Sequence, residues 1–234
     1  EHSKYFLYIA ILFVAVLMIS NTIAVKLFQI GPFFFTAAII IFPISYIFGD
    51  ILTEVYGYQA SRRIIWAGLI SLTFMSVVYY FVQLLPPAPF WSNQEAYESI
   101  LGLVPRIVLG SIVGYFAGEF SNSYILSKLK IWTRGKYLWV RTISSTVVGE
   151  AVDTTLFGVI GFAGMVSWNS LALIILSGYV AKVLIEVLLT PVTYVVVRKL
   201  KQLENMDVYD YEVDYNPFHF DSVNKLLDVP PERR

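Results

Sequence analysis

Six apolar stretches fill nearly all of the first 200 residues, and ionisable side chains sit inside several of them. A helix needs about 20 predominantly apolar residues to cross the hydrocarbon core of a bilayer. Tyr5–Val25, Phe33–Val55, Ile64–Leu85, Leu101–Leu126, Val140–Gly164 and Ser170–Val197 each meet that length. Turn chemistry divides them: Gly31-Pro32, Gly57 to Arg63, Pro86-Pro87-Ala88-Pro89, Lys128 to Lys136, and Gly164 to Ser170. Residues are 57% hydrophobic and only 15% charged, with mean hydropathy +0.65, whereas a soluble domain carries about a quarter charged residues. The expected fold is an all-α integral membrane protein of six transmembrane helices.

Charge bias supports the count. The connections holding Arg62 and Arg63, then Lys128, Lys130, Arg134, Lys136 and Arg141, are basic, as is the segment Arg198, Lys199, Lys201 after the last span. The opposite loops hold Glu95 and Glu98, the single Lys26, or no charge. Lys/Arg excess marks the cytoplasmic side, so six spans place all three basic segments and both termini there. The first apolar stretch lacks a small-residue cleavage site and runs into Asn21 and Lys26, which reads as a retained span. Residues 1–200 form the expected transmembrane domain, and residues 201–234 an acidic, aromatic tail along the cytoplasmic face.

The chain contains no cysteine, which excludes disulfides, thiolate metal sites and cysteine nucleophiles. Its two histidines, His2 and His219, lie outside every span, so no imidazole chemistry is expected within the membrane. No cofactor and no metal site are expected.

A weak internal echo fits two inverted three-helix repeats. Ser20-Asn21-Thr22 resembles Ser121-Asn122-Ser123, and Gly49-Asp50 resembles Gly149-Glu150, both at an offset of about a hundred positions. An odd number of crossings inverts the second copy, an arrangement that recurs in transporters.

Residues four apart share a helix face. Span two carries the row Tyr46, Asp50, Glu54; span five carries Thr142, Thr146, Glu150, Thr154, flanked by Asp153; span six carries Gly178, Lys182, Glu186, Thr190. Span four has Gly110, Gly114 and Gly118 before Asn122, with Glu119 adjacent. The glycine row suits close helix packing. Lys182 and Glu186 are spaced for an ion pair on one helix, and Arg106 and Arg141 for snorkelling to the interfaces. Each buried charge at a helix centre costs about 2.5–3.5 kcal/mol on insertion scales. The acids outnumber Lys182, so the surplus points to proton uptake, a cationic or hydrogen-donor substrate, or both. Pro43, Pro105 and Pro191 are expected to interrupt spans two, four and six beside a watery cavity.

The runs Ile19-Ser20-Asn21-Thr22-Ile23-Ala24-Val25-Lys26, Phe42-Pro43-Ile44-Ser45-Tyr46 and Phe48-Gly49-Asp50-Ile51-Leu52-Thr53-Glu54-Val55-Tyr56-Gly57-Tyr58 resemble the queuosine-precursor transporter family. Gly149-Glu150-Ala151-Val152-Asp153-Thr154, Lys182-Val183-Leu184-Ile185-Glu186 and Asn216-Pro217-Phe218 are similar to its later motifs. The resemblance runs along essentially the whole chain. It implies six helices in a bacterial inner membrane and import of 7-cyano- and 7-aminomethyl-7-deazaguanine, and in some members queuine. A guanine-like edge offers adjacent N–H donors to a carboxylate and a carbonyl to an asparagine or lysine, while its flat rings stack on aromatics such as Phe42, Tyr46 or Tyr115.

The expected substrate set is therefore Asn21, Phe42, Tyr46, Asp50, Glu54, Asn122, Glu150, Asp153, Lys182 and Glu186. Expected partners are the small-molecule 7-deazaguanine and membrane lipid, with no nucleic acid; apolar helix faces allow a homodimer. A secondary transporter is the leading expectation. A substrate-binding membrane subunit energised by a separate ATPase is the alternative, and facilitated diffusion with trapping a third. An intramembrane di-aspartyl protease using Asp50 and Asp153 lacks the Gly-x-Gly-Asp and Pro-Ala-Leu signatures such an enzyme needs.

Overall fold

The computed structural model describes residues 4–102, 105–164, 167–211 and 213–218. The histidines and the side chain of Arg106 lie outside the described residues. Helices dominate: α1 (Lys4–Ile23), α2 (Phe42–Ile51), α3 (Tyr58–Gln83), α4 (Gln94–Ile100), α5 (Pro105–Trp132), α6 (Leu138–Phe162) and α7 (Trp168–Glu204). Four of them are long and apolar enough to cross a membrane, over Tyr5–Ile23, Tyr58–Gln83, Leu138–Phe162 and Trp168–Glu204. Large apolar side chains such as Leu7, Ile70, Phe74, Leu188 and Val195 point outward from these helices, as a hydrocarbon solvent requires. Helix α5 has the length but carries Glu119, Lys128 and Lys130.

The predicted second span, Phe33–Val55, is not one helix. It begins in a hairpin, with β1 (Leu27–Ile30) pairing antiparallel to β2 (Phe33–Thr36). Aromatic and branched residues favour the strands, and Gly31, at φ +57°, supplies the left-handed turn. A 3-10 turn (Ala37–Ile40) leads into the ten-residue α2, which runs into a π-helical turn, Leu52–Tyr56. Gly57, at φ +85°, ends it. Most side chains of α2, and all those of the π turn, are buried. This segment is enclosed by protein on all sides, which is why irregular backbone and polar side chains are tolerated in it.

Two of the three prolines expected to break helices instead begin them. Pro43 sits in the first turn of α2 and Pro105 is the first residue of α5, where the missing N–H has no intrahelical partner to lose. Only Pro191 lies inside a helix, α7.

Helices α5 and α6 make the closest pair in the bundle. A Cβ at Gly114 would stand 2.8 Å from the Asp153 carbonyl oxygen, and one at Gly118 2.9 Å from that of Gly149. The glycine row thus does what its spacing suggests and lets two backbones touch. The long continuous α6 has no counterpart break to the one at α2, so the two halves of the echo differ in local structure.

The first part of the tail is built into the fold. Asp210 is buried and accepts the Tyr58 N–H at 3.0 Å and the Ser127 hydroxyl at 2.6 Å. Arg62 donates to the carbonyls of Asp214 and Asn216, and the Trp66 indole to that of Pro217. Phe218 then joins Trp66 and Phe116 in an aromatic cluster.

Candidate functional site: a cleft backed by buried carboxyls

The four-residue row on α2 sets the site. Phe42 and Tyr46 lie one turn apart with ring centroids 5.7 Å from each other, and Asp50 follows on the same face. Above Phe42, the Lys182 ammonium from α7 sits 4.2 Å from the ring centroid, within range of a cation–π contact. Lys182 reaches across to α6 rather than along its own helix. It pairs with Glu150 at 2.8 Å and Asp153 at 2.9 Å, and donates to the Thr154 hydroxyl at 3.2 Å. The expected pair with Glu186 is absent because two carboxylates on α6 capture the ammonium first.

A cavity of about 90 Å3 opens beside this triad, room for several waters. Its walls come from the end of α1 (Ser20, Asn21, Ala24), β2 and the 3-10 turn (Phe35, Thr36, Ile39), Phe42, and Ser111 on α5. Asp153, Thr154, Phe157, Gly178 and Lys182 complete them. The lining combines aromatic faces with a few convergent polar groups, the usual character of a small-molecule site. Asn21 is oriented by two contacts: its amide donates to the Leu17 carbonyl at 3.0 Å, and its carbonyl accepts from the Ser111 hydroxyl.

Behind the cleft lies a second layer. Asn122 on α5 donates to Asp50 at 2.8 Å. Glu119 projects from α5 past Gly49, where any Cβ would collide with its carboxyl group. The Tyr46 hydroxyl points into the same space, 2.7 Å from where a Cβ on Gly118 would stand. Neither oxygen of Glu119 or of Glu186 has a hydrogen-bond partner among the described residues, and the second oxygen of Asp50 has none either.

Glu54 belongs elsewhere. Its fully buried carboxylate faces Arg141 at 2.7 Å, Lys201 at 2.6 Å and Lys130 at 3.7 Å, at the opposite end of the bundle from the cleft. Asp207 from the tail closes the network onto Lys130 (2.6 Å) and Lys201 (2.9 Å). Arg141, expected to snorkel outward, is instead buried, because Glu54 gives its charge a fixed partner. Partial burial pushes the Asp207 carboxyl up, but hydrogen bonds and charge from Lys130 and Lys201 outweigh it and hold the group below the ordinary aspartate value. Asp210 goes the other way: burial dominates and raises it, despite the Ser127 and Tyr58 hydrogen bonds.

Of the ten predicted substrate residues, Asn21, Phe42, Asp153 and Lys182 line the cavity. Tyr46, Asp50, Asn122, Glu150 and Glu186 are in the layer behind or beside it, and only Glu54 is remote. Glu119 and Ser111 were missing from the predicted set. Their signal was legible as a row of every fourth residue on α5: Ser111, Tyr115, Glu119, Ser123. The hairpin residues Phe35 and Thr36 had no such signal.

A family model described as "putative vitamin uptake transporter" matches residues 36–196. The chain is 30% identical over 146 residues to the "probable queuosine precursor transporter" of Bacillus subtilis (strain 168), covering 62% of this chain and 64% of the relative. It is 27% identical over 152 residues to the "queuosine precursor transporter" of Escherichia coli (strain K12), covering 62% and 65%. The chain thus spans just under two thirds of the length of each of these relatives. No solved structure matches it.

Proposed function

Because the chain belongs to the putative vitamin uptake transporter family, we propose that it imports queuosine precursors, the 7-deazaguanines, through the cleft beside Phe42. The observation that carries this reading is the composition of that cleft. An aromatic face, Phe42, stands next to an oriented amide, Asn21, a carboxylate, Asp153, and an ammonium, Lys182. A planar base needs a ring to stack on, an acceptor for its adjacent N–H groups and donors for its carbonyl. All are present within one cavity.

Six crossings, with the broken hairpin–α2–π segment as the second and α5 as the fourth, place the basic ends in the cytoplasm. The cleft, walled by the end of α1 and the start of α7, then opens away from the cytoplasm. That polarity suits uptake into the cell from a bacterial inner membrane. The echo between the two halves supports a rocking motion about the cleft. Each of its two asparagines makes a contact to another helix, Asn21 accepting from Ser111 on α5 and Asn122 donating to Asp50 on α2.

Uptake of labelled 7-cyano-7-deazaguanine into cells unable to make it tests the reading. Asp153→Asn and Phe42→Ala are each expected to reduce uptake by about tenfold or more, the scale of losing one charge-assisted hydrogen bond or one stacking face. Normal uptake by both variants, at wild-type levels in the membrane, would sink it.

A further inference from the structure

We infer that the layer behind the cleft is a proton-binding site, in which Glu119 and Glu186 hold the protons that travel with the substrate. This rests on the proposed import through the cleft and adds the co-transported ion.

The inference starts from a mismatch of charge. Glu119 on α5 and Glu186 on α7 are 0% and 1% exposed, and all four of their oxygens lack hydrogen-bond partners among the described residues. An ionised carboxylate in such a place has neither water nor a donor, so the stable form is the neutral acid. The one ammonium in this space, on Lys182, is already shared between Glu150 and Asp153. Asp50 on α2 interacts electrostatically with both Glu186 and Glu119, while its single donor is Asn122. On α3, Arg62 is held away by carbonyls of the tail, and Glu54 has its own cations at the other end.

Two further features point to an exchangeable occupant. The Tyr46 hydroxyl, fully buried and without a hydrogen-bond partner among the described residues, faces the space between Gly118 and Asp153, within electrostatic range of Glu119. No three acidic groups among the described residues are arranged to hold a metal ion. Glu119 and Glu186 both couple electrostatically to Glu150, and Glu150 is tied through Lys182 to the cleft wall. A substrate that draws Lys182 or Asp153 toward itself changes the charge seen by Glu150, and through it the proton affinity of the two acids. Each transport cycle then moves a proton from the outer side onto a carboxylate and off it again on the inner side, so charge and mass balance without another reactant.

Infrared spectroscopy of the purified protein in lipid nanodiscs at neutral pH reads the site directly. Wild type is expected to show protonated-carboxyl bands, with Glu119→Gln and Glu186→Gln each removing one. Absence of these bands, or their persistence in both variants, overturns the proposal whether or not any substrate binds. In proteoliposomes, the neutral base 7-cyano-7-deazaguanine is expected to acidify the lumen as it enters. A gradient of one pH unit sustains about tenfold accumulation for one proton per substrate, since one unit is about 1.4 kcal/mol. Glu119→Gln is expected to let the base equilibrate across the membrane with about no accumulation, while the melting midpoint stays at the wild-type value. Wild-type uptake without acidification overturns proton coupling and leaves import intact. Bands that behave as expected in a protein that neither binds nor moves the base would uphold proton binding and remove the substrate reading.

Discussion

The two ends of this bundle solve the same problem in opposite ways. At one end Glu54 is surrounded by Arg141, Lys201 and Lys130, with Asp207 completing the set, so every charge has an opposite within hydrogen-bonding or near-contact distance. In the middle, Glu150 and Asp153 share Lys182, Asp50 has the Asn122 amide, and neither Glu119 nor Glu186 has a hydrogen-bond partner among the described residues. A matched network fixes geometry, because moving any member strands a charge in low dielectric. An unmatched one leaves free valences for ligands. Burial alone therefore does not separate the two sets of acids here; the ratio of partners to charges does.

The largest expected effect comes from breaking the matched end. Glu54→Ala strands Arg141 and leaves Asp207 alone to hold Lys130 and Lys201, and is expected to lower stability by about 3–5 kcal/mol, read as a drop in melting midpoint in detergent. Next is the seam between α5 and α6. Gly118→Ala drives a methyl group to 2.9 Å from the Gly149 carbonyl and 2.7 Å from the Tyr46 hydroxyl, with an expected cost of about 1–3 kcal/mol. The same melting series detects it. By contrast Glu119→Gln, in the unmatched layer, is expected to change stability by less than about 1 kcal/mol, because an amide replaces a neutral acid of the same shape. A destabilisation there as large as for Glu54→Ala would erase the distinction between the two regions.

The smallest effect concerns pH. The Asp207 carboxyl is depressed in the folded state, so its stabilisation is present above the unfolded aspartate value and fades as pH falls through the lower folded value. Asp207 is 43% exposed at its side chain, and screening limits its share to under about 1 kcal/mol. Asp210 is raised, so its contribution is complete below the unfolded value and is lost as pH rises through the folded one. Melting midpoints across the acid range should therefore show less acid sensitivity in Asp207→Asn than in wild type, and Asp210→Asn should shift the curve in the reverse sense.

Much of the membrane bundle could be read from residue order. The apolar runs and their Gly and Pro boundaries locate α1 and α6 to within two residues at each end, since length and hydropathy are local properties, but begin α3 six residues late and end α7 seven residues early. The four-residue rows brought Tyr46 and Asp50 to one face, though they carried Glu54 with them, and put Glu150 and Asp153 together. Two things were not legible. Pairing across helices, such as Lys182 with α6 or Arg141 with Glu54, depends on which faces meet, and same-helix spacing pointed to other answers. The break at Phe33–Val55 was hidden because the buried α2 and π turn are as apolar as a lipid-facing helix, and aromatic residues such as Phe33, Phe34 and Phe35 suit either a strand or a span.

The cap on α3 has a consequence for how the protein is made. The N–H of Tyr58 is satisfied by Asp210, 152 positions later in the chain, and Asp207 supplies the second anion among the cations around Glu54. While the ribosome is still translating the last helix, neither acid has emerged. Each copy therefore passes through an unfinished stage in which most of the bundle is in the bilayer but the cations around Glu54 still lack their second anion. Messages cut short ahead of the codon for Asp207 should yield inserted but immature protein, exposed to membrane proteases.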